Sequence, residues 1–480
     1  MQVLKFGGSS VANAANIRKV ADVIRKKVNK ESTFVVVSAL GGITDLLLQC
    51  GHLAAEGDES YFEKLQELEQ RHLETVKELI PINNQSSLLS YVKTKCNEIE
   101  DICKGIFVLK ELTPRTKDMI IGYGELLSSK IINDVLADSA SIWVDVRKLI
   151  ITNSDHGNAL VEFSITNKRI NDYISEFPSP LYIVPGFIAS DKNGTATTLG
   201  RGGSDYTAAI IAAAINATNL EIWTDVSGMM TADPRLVTNS RIIPRISYQE
   251  AMELSHFGAK VIYPPTIQPV MSKGIPVRIK NTFAPGDEGT VIIKNSSDST
   301  GSITGISSIN KICLVSLEGS GMVGIPGFSH RLFAALAVNK INVILITQSS
   351  SEHSICVGIE EVNASLAKRV IDEAFEYEIQ VKKVEPLIVE KDLAIVALVG
   401  DRMKNHTGIS GKLFSAMGKN GINIRAISQG SSERNISAVI SNNDVKKAVN
   451  VIHEAFFEME IKEVNVFIAG AGTVGKKLLE

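Results

Sequence analysis

Residues 317–359 align without a gap on residues 398–440, at an offset of 81, and 18 of the 43 pairs are identical. The matched pairs include Gly319 with Gly400, Leu332 with Leu413, Phe333 with Phe414, Asn342 with Asn423 and Gln348 with Gln429. The match resumes where Glu373-Ala374-Phe375 repeats as Glu454-Ala455-Phe456. A duplication this long means that one supersecondary unit occurs twice. Each unit reads strand–helix–strand–strand–helix–strand, the ferredoxin-like βαββαβ pattern. Two copies are too few for a solenoid. The pattern therefore predicts a paired module, one unit over 306–386 and the other over 391–463.

Upstream the rhythm changes. Residues 2–6 read as a short strand leading into Gly7-Gly8-Ser9-Ser10, and a helical pattern follows from about 12 to 28. Residues 33–38 form a run dominated by β-branched side chains, as in a strand buried on both faces. It ends at Gly41-Gly42, and a second helix begins near Thr44. Residues 45–135 read as mostly helical. Strands return near 141–146, 181–184 and 220–224, with a helix of small residues over 206–216. This alternation predicts an α/β domain over 1–293, a mainly parallel sheet between helical layers. The polar stretch 295–302 reads as a linker. A length of 480 residues also exceeds one ordinary core.

Composition limits the class of partner. A formal net charge of −3 gives no reason to expect nucleic acid or an anionic membrane. No uninterrupted apolar run reaches membrane-spanning length. The five cysteines are scattered without disulfide or ligand spacing, as suits reduced thiols in a cytoplasmic protein. The first strand begins almost at Met1, which leaves no room for a signal peptide. The eight histidines show no metal-ligand or triad spacing, and no protein metal centre is expected.

Four motifs carry chemistry. In Lys5-Phe6-Gly7-Gly8-Ser9-Ser10, a strand end, two glycines and a helix start expose backbone N–H groups that suit an anion. Lys5 is a charge within an apolar strand and could neutralise a transferring phosphoryl group; a snorkelling surface lysine is the plainer alternative. Residues 38–44 form a second glycine-rich strand exit, which in a parallel sheet opens on the same edge. Gly200-Arg201-Gly202-Gly203-Ser204-Asp205 brackets an arginine with glycines and ends at a helix start. Arg201 offers a fork for a carboxylate. Ser204 and Asp205 read as capping residues, or Asp205 as the organiser of Lys5 or of a Mg²⁺ ion. Trp223-Thr224-Asp225, then Asp233-Pro234-Arg235, forms another strand exit and a turn, and Lys260 adds a cation after a helical stretch.

These motifs, KFGGSS, GRGGSDYTA, WTDVSG with TADPR, and FGAKVIYPPT, stand in the order found in aspartokinases. Residues 1–293 resemble the amino-acid kinase fold, and the repeat resembles the tandem ACT modules that follow it in that family. The resemblance implies transfer of the ATP γ-phosphoryl group to the side-chain carboxylate of L-aspartate. It implies that Lys5 meets the phosphoryl group, with Gly7, Gly8 and Ser9 around the phosphates. Thr44, Glu125 and Arg201 would hold aspartate, Glu125 at its ammonium and Arg201 at a carboxylate. Ser204 and Asp205 would organise the phosphoryl site. Thr224, Asp225, Met230, Arg235 and Lys260 would line the nucleotide pocket, with Met230 where many relatives carry tyrosine. An aspartate side chain, with a pKa of about 3.9, is already ionised at neutral pH, so no general base is needed. Relief of anion–anion repulsion by lysine, backbone amides and Mg²⁺ is the larger requirement.

The tandem modules imply an amino-acid sensor, with Asn342, Gln348, Asn423 and Gln429 as candidate effector contacts, and a homodimer or higher oligomer. Val466–Gly475 is a strand running into G-x-G-x-x-G, so 464–480 reads as the entry to a dinucleotide-binding domain. It resembles the homoserine dehydrogenase portion of bifunctional aspartokinases, which points to threonine as effector, with lysine second. Two other readings remain: a catalytically silent amino-acid sensor, and a kinase of the same fold acting on glutamate or acetylglutamate.

Overall fold

The computed structural model describes residues 1–157, 159–256, 262–294, 303–323, 325–348, 353–401, 403, 406–430 and 434–458. Lys260 and the segment 464–480 lie outside the described residues, as does the linker 295–302. The strands are β1 Gln2–Phe6, β2 Thr33–Val37, β3 Ser141–Trp143, β4 Ile151–Thr152, β5 Leu181–Pro185, β6 Ile188–Asp191, β7 Ala196–Thr198, β8 Leu220–Thr224, β9 Arg245–Ser247, β10 Val277–Asn281, β11 Thr290–Ile293, β12 Gly305–Glu318, β13 Val343–Gln348, β14 Ser354–Glu360, β15 Ile388–Val399, β16 Ile424–Gln429 and β17 Asn435–Ser441. The helices are α1 Ala14–Val28, α2 Ile43–Glu56, α3 Tyr61–Leu79, α4 Gln85–Leu109, α5 Pro114–Ile121, α6 Tyr123–Val135, α7 Phe163–Glu176, α8 Gly203–Ala214, α9 Tyr248–His256, α10 Gln268–Lys273, α11 Phe328–Val338, α12 Ala364–Ala374, α13 Glu376–Gln380, α14 Ile409–Lys419 and α15 Val445–Phe457.

The first domain is an eight-stranded sheet in the order β3-β5-β2-β1-β8-β10-β11-β9, parallel except for the β10–β11 pair. Strand parity divides its core into two layers. Val3, Phe34, Val36 and Ile222 face α7, α8, α9 and α10. Leu4, Phe6, Val35, Val37 and Trp223 face α1 to α6. Because both faces are covered, the central strands read as unbroken apolar runs. A smaller sheet, β4-β6-β7, stands beside the main one. Its two- to four-residue strands carry no sequence periodicity long enough to be read.

The repeated units form one six-stranded sheet, β13-β14-β12-β15-β17-β16. The two long strands β12 and β15 lie antiparallel at its centre, and each serves both units. Ile312–Glu318 pairs with β14, whereas Gly305–Ile309 pairs with the far half of β15, which in turn pairs with β17. Each long strand is broken at its middle by a residue with positive φ, Lys311 (58°) and Asp392 (58°), the same position in the two repeats. The second unit thus takes its outer strand from residues preceding the first unit. Among the described residues, that crosswise supply sets the sheet apart from two successive βαββαβ units.

The second unit is also welded to the kinase-like domain. Ala232 and Val237, from the long segment after β8, share a core with Leu413, Met417 and Ile452. Thr231 Oγ1 and His453 Nε2 are 3.0 Å apart, and the Ile306 amide donates to the Thr231 carbonyl at 2.7 Å. From α9, Glu250 accepts from the Asp401 amide at 3.0 Å and Glu253 from Asn435 Nδ2 at 2.6 Å. Among the described residues, no helix is long and apolar enough to cross a membrane. All five cysteines are free, and burial raises the thiols of Cys50, Cys96, Cys103, Cys313 and Cys356 above the ordinary range.

Candidate active site

Lys5 sits two residues after Val3 and therefore emerges on the same face of β1, toward α8. Helix α8 begins at Gly203, three residues earlier than the sequence pattern suggests. Gly202, with φ +70°, acts as its N-cap, so Ser204 and Asp205 fall inside the first turn. An acidic residue there complements the helix dipole. It also meets Lys5: Nζ lies 2.6 Å from Asp205 Oδ1, with both side chains largely buried. Among the described residues Asp205 Oδ1 makes no aligned hydrogen bond, so the contact is an ion pair by distance that leaves acceptor capacity.

Two glycine-rich exits close around this pair. The Gly7 amide donates to the Trp223 carbonyl at 3.1 Å and ties the end of β1 to the end of β8. A Cβ on Gly41 would come within 2.9 Å of Ala12 Cβ, so the β1 and β2 exits pack too closely for a side chain there. Gly42 (φ +80°) starts α2 as Gly202 starts α8, and a glycine offers no side-chain cap. Both helix N-termini therefore present free amides, the ordinary basis of an anion site. They face one cavity of about 420 Å³, lined by Lys5, Gly8, Ser38, Gly41, Gly42, Thr44, Asp45, Glu125, Phe187, Arg201, Ser204 and Asp205.

Glu125 is the unusual wall of this cavity. It lies in the first turn of α6, is 3% exposed, and its Oε2 has no hydrogen-bond partner among the described residues. Burial pushes its carboxyl up to about 8, against the weaker opposing effect of a hydrogen bond from the Ala39 backbone. A carboxylate so placed is poised to pair with an incoming cation. Arg201 is exposed at the tip of the Gly200–Gly202 turn, its guanidinium 5.4 Å from the Tyr263 ring centroid. Ser204 is seated against Gly186, where a Cβ would fall 2.8 Å from Ser204 Cβ. Lys5, Gly8, Thr44, Glu125, Arg201, Ser204 and Asp205 thus line a single cavity, with Gly7 at its edge. Ser9 is exposed and uses its carbonyl to accept from Asn16 Nδ2 at 3.0 Å.

The other candidates are less gathered. Thr224 closes β8 next to the Gly7 turn, and its hydroxyl donates to Asp225 Oδ1 at 3.0 Å. Met230 pairs with Ile242 in an isolated bridge. Arg235 folds onto Asp233, 2.7 Å away, with its side chain 84% exposed. Among the described residues, Met230 and Arg235 are not part of the cavity wall. Sequence reasoning missed Asp45 and Phe187, and the Ser10–Thr282 hydroxyl pair at 2.7 Å that joins the β1 exit to the β10 exit. Phe187, with φ 69°, had no local signal at all.

In the repeat, Gln348 and Ser329 line a cavity of about 330 Å³ with Met322, Phe328 and Ile355. The equivalent Gln429 instead accepts from Ser410 Oγ at 3.3 Å. Asn342 and Asn423 are exposed and precede β13 and β16, whereas Gln348 and Gln429 end those strands. Six residues of extended chain separate each pair by about 20 Å. One unit therefore cannot bring its Asn and Gln to one small ligand.

The amino acid kinase family model matches residues 1–281, and the ACT domain model matches residues 315–375 and 396–456. The chain is 36% identical over 486 residues to bifunctional aspartokinase/homoserine dehydrogenase 2, chloroplastic, of Arabidopsis thaliana, covering 100% of this chain and 53% of that relative. It is 32% identical to aspartokinase 1, chloroplastic, of the same organism, covering 95% of this chain and 80% of the other. The structure of E. coli aspartokinase III in complex with aspartate and ADP superposes with a TM-score of 0.80 at 30% identity, covering 95% of this chain and 100% of that one. The chain spans about half the length of the bifunctional relatives it matches.

Proposed function

Because the chain belongs to the amino acid kinase family, in its aspartokinase branch, we propose that it transfers the γ-phosphoryl group of ATP to the β-carboxylate of L-aspartate. The observation that carries this reading is the shared cavity itself. It holds a cation for phosphate (Lys5), two helix N-termini for anions, and a buried carboxylate with one oxygen unpartnered among the described residues (Glu125 Oε2) for an ammonium group. Such a set suits an acceptor that carries both an ammonium and carboxylates. Glutamate is one carbon longer and must fit the same 420 Å³ space.

The acceptor carboxylate arrives ionised, so the site has to bring two anions together. Lys5, fixed by Asp205, neutralises charge on the phosphoryl oxygens as it moves. The first-turn amides of α2 and α8 take up the charge that develops there. Glu125 pairs with the substrate ammonium and Arg201 with the α-carboxylate, which aims the β-carboxylate in line. Thr44 and Ser204 complete the acceptor side, while Thr224, Asp225 and the following loop with Met230 and Arg235 take the nucleotide. Lys260 would add to that side.

Among the described residues, no three His, Cys, Asp or Glu side chains gather as a metal cage. That donor set suits a Mg²⁺ ion that enters with ATP and keeps phosphate and water ligands. Asp205, with its free acceptor capacity, and Ser204 would be its protein contacts, and the ion would supply charge neutralisation.

The ACT units would bind a regulatory amino acid at the Gln348 cavity. Threonine is favoured, since the bifunctional relatives matched over about half their length carry a homoserine dehydrogenase in their names; lysine is second. Self-association through the units and a cytoplasmic location complete the reading. Hydroxamate formation from L-aspartate, with and without threonine, tests it. Lys5→Ala should lower turnover by about 10²–10³-fold. Turnover of glutamate in place of aspartate would overturn the substrate assignment.

A further inference from the structure

Beyond the cavity wall lies a buried carboxylate that the reaction itself does not use. Asp118, on α5, is 2% exposed. Its Oδ1 accepts from Thr198 Oγ1 at 2.6 Å. Its Oδ2 accepts from the Gly157 amide at 2.9 Å and lies 3.2 Å from His156 Nδ1. These three partners come from two segments far apart in sequence: one leads to the acceptor side of the cavity, and the other backs it.

Helix α5 passes through Gly122 directly into α6, where Glu125 stands seven residues after Asp118. The junction is tight: a Cβ on Gly122 would fall 2.9 Å from Ile188 Cγ2. Thr198 ends β7 and is followed by Leu199, Gly200 and Arg201. Leu199 is pinned by its amide to the Phe187 carbonyl at 2.9 Å, and Gly200, with φ +70°, turns the chain toward the cavity. The 154–157 loop backs this turn, since a Cβ on Gly200 would lie 3.8 Å from the Gly157 carbonyl oxygen. The carboxylate of Asp118 therefore fastens the helix pair that carries Glu125 to the strand end that carries Arg201.

We propose that Asp118 is a positioning residue that sets the spacing between Glu125 and Arg201, and so the fit of the amino-acid substrate. This rests on the assignment of those two side chains to opposite ends of the acceptor. The chemistry of the network makes the carboxylate specific. Its three neighbours present two certain donors, the Gly157 N–H and the Thr198 hydroxyl, and a ring nitrogen. An asparagine in the same place would keep its oxygen for one partner and turn its NH₂ toward the other, where the Thr198 hydroxyl would have to switch from donating to accepting. Both contacts would then lose the charge of the carboxylate, and the Thr198 hydroxyl would no longer donate to α5.

The test is steady-state kinetics of Asp118→Asn, with the amino acid that the unmodified chain phosphorylates. The KM for that amino acid should rise by about tenfold or more, the factor for one charged hydrogen bond. The KM for ATP should stay within about twofold, since a group acting only on the acceptor side leaves uniform nucleotide binding intact. Thr198→Val, which keeps the shape and removes one donor, should move the same constant in the same direction by about threefold. The double variant should fall short of the product, because the two groups share one bond. Hydrogen exchange gives a reading that does not depend on which acid is used: the amides of 199–203 should exchange faster in Asp118→Asn while those of 40–43 keep their rates. If both KM values rise together, or neither moves and the 199–203 amides stay protected, the positioning role is wrong. Failure of the unmodified chain to use aspartate would instead refute the substrate assignment, while the KM split and exchange pattern would still decide the role of Asp118. Should Asp118→Asn not fold, Thr198→Val carries both measurements.

Discussion

The two ends of the proposed catalytic cleft are held by different parts of the molecule. At the proposed amino-acid end, Thr44, Glu125 and Ser204 project from α2, α6 and α8, all packed within the first domain. At the proposed nucleotide end, Thr224 and Asp225 sit on the sheet edge, but the segment beyond them leaves the domain. Its Ala232 and Val237 are buried in the core of the second ACT unit. One end is therefore preorganised by the kinase core, and the other inherits its position from the regulatory sheet. A shift of the second unit would reach the nucleotide end through covalent continuity, while the acceptor end would feel it only through the packed core.

The contrast is most exposed to failure at Glu125. Glu125→Gln should raise the KM for aspartate by about 30-fold or more, the range for removing one partner of a buried charge pair. The KM for ATP should hardly change. Its pH dependence is a second break point. The free carboxyl stays protonated up to about pH 8, and an ammonium pairs only with the ionised form. Aspartate binding below pH 8 must therefore expel that proton. The KM for aspartate should fall by about tenfold per unit between pH 6 and 7 and flatten above about 8. Glu125→Gln should be flat across the same window. A wild-type KM that rises with pH would contradict this assignment.

At the other end the effects are smaller. Val237→Ala should open a void in the shared core and destabilise the chain by about 2 kcal/mol. It should weaken the effector response while leaving the KM for aspartate unchanged; calorimetry and inhibition curves would check both. Thr231→Val removes the bond to His453, whose ring burial holds in the neutral form. A loss of about 1 kcal/mol is expected, with any kinetic change confined to ATP. A change confined to aspartate in either variant would erase the distinction between the two ends.

Much of the first domain could be read from sequence because its signals are local. Residues 2–6, 33–37 and 220–224 are largely apolar runs that lead to a glycine-rich or a Thr-Asp exit, and burial on both faces dictates that composition. Lys5 stood out because a charge in such a run needs a reason. What escaped was set by distant pairing. The β4-β6-β7 sheet exists only because three very short segments meet. The start of α8 was misplaced because Gly202 caps it in a left-handed conformation, which composition alone does not reveal. The ends of β13 and β16 show the limit of reading spacing as proximity. Asn342 and Gln348 are close in sequence and matched in the repeat, yet extended chain holds them apart. The burial of Ala232 and Val237 in another domain leaves no trace in their own neighbourhood.

The crosswise strands have a consequence for how the paired module could be cut. Ile309 and Ile395 are cross-strand neighbours on antiparallel chains, so the path enters the first ACT unit and leaves it through two adjacent doors. The whole first unit is, topologically, a parenthesis inside the second. A two-residue turn is enough to join antiparallel neighbours. Removing residues 310–394 and bridging the gap in that way would leave the second unit with all four of its strands, still fused to the kinase domain. The reverse excision has no such seam: the second unit's strands lie on both sides of the first in the chain, so removing them takes two separate cuts, although the first unit keeps its own halves of the shared strands.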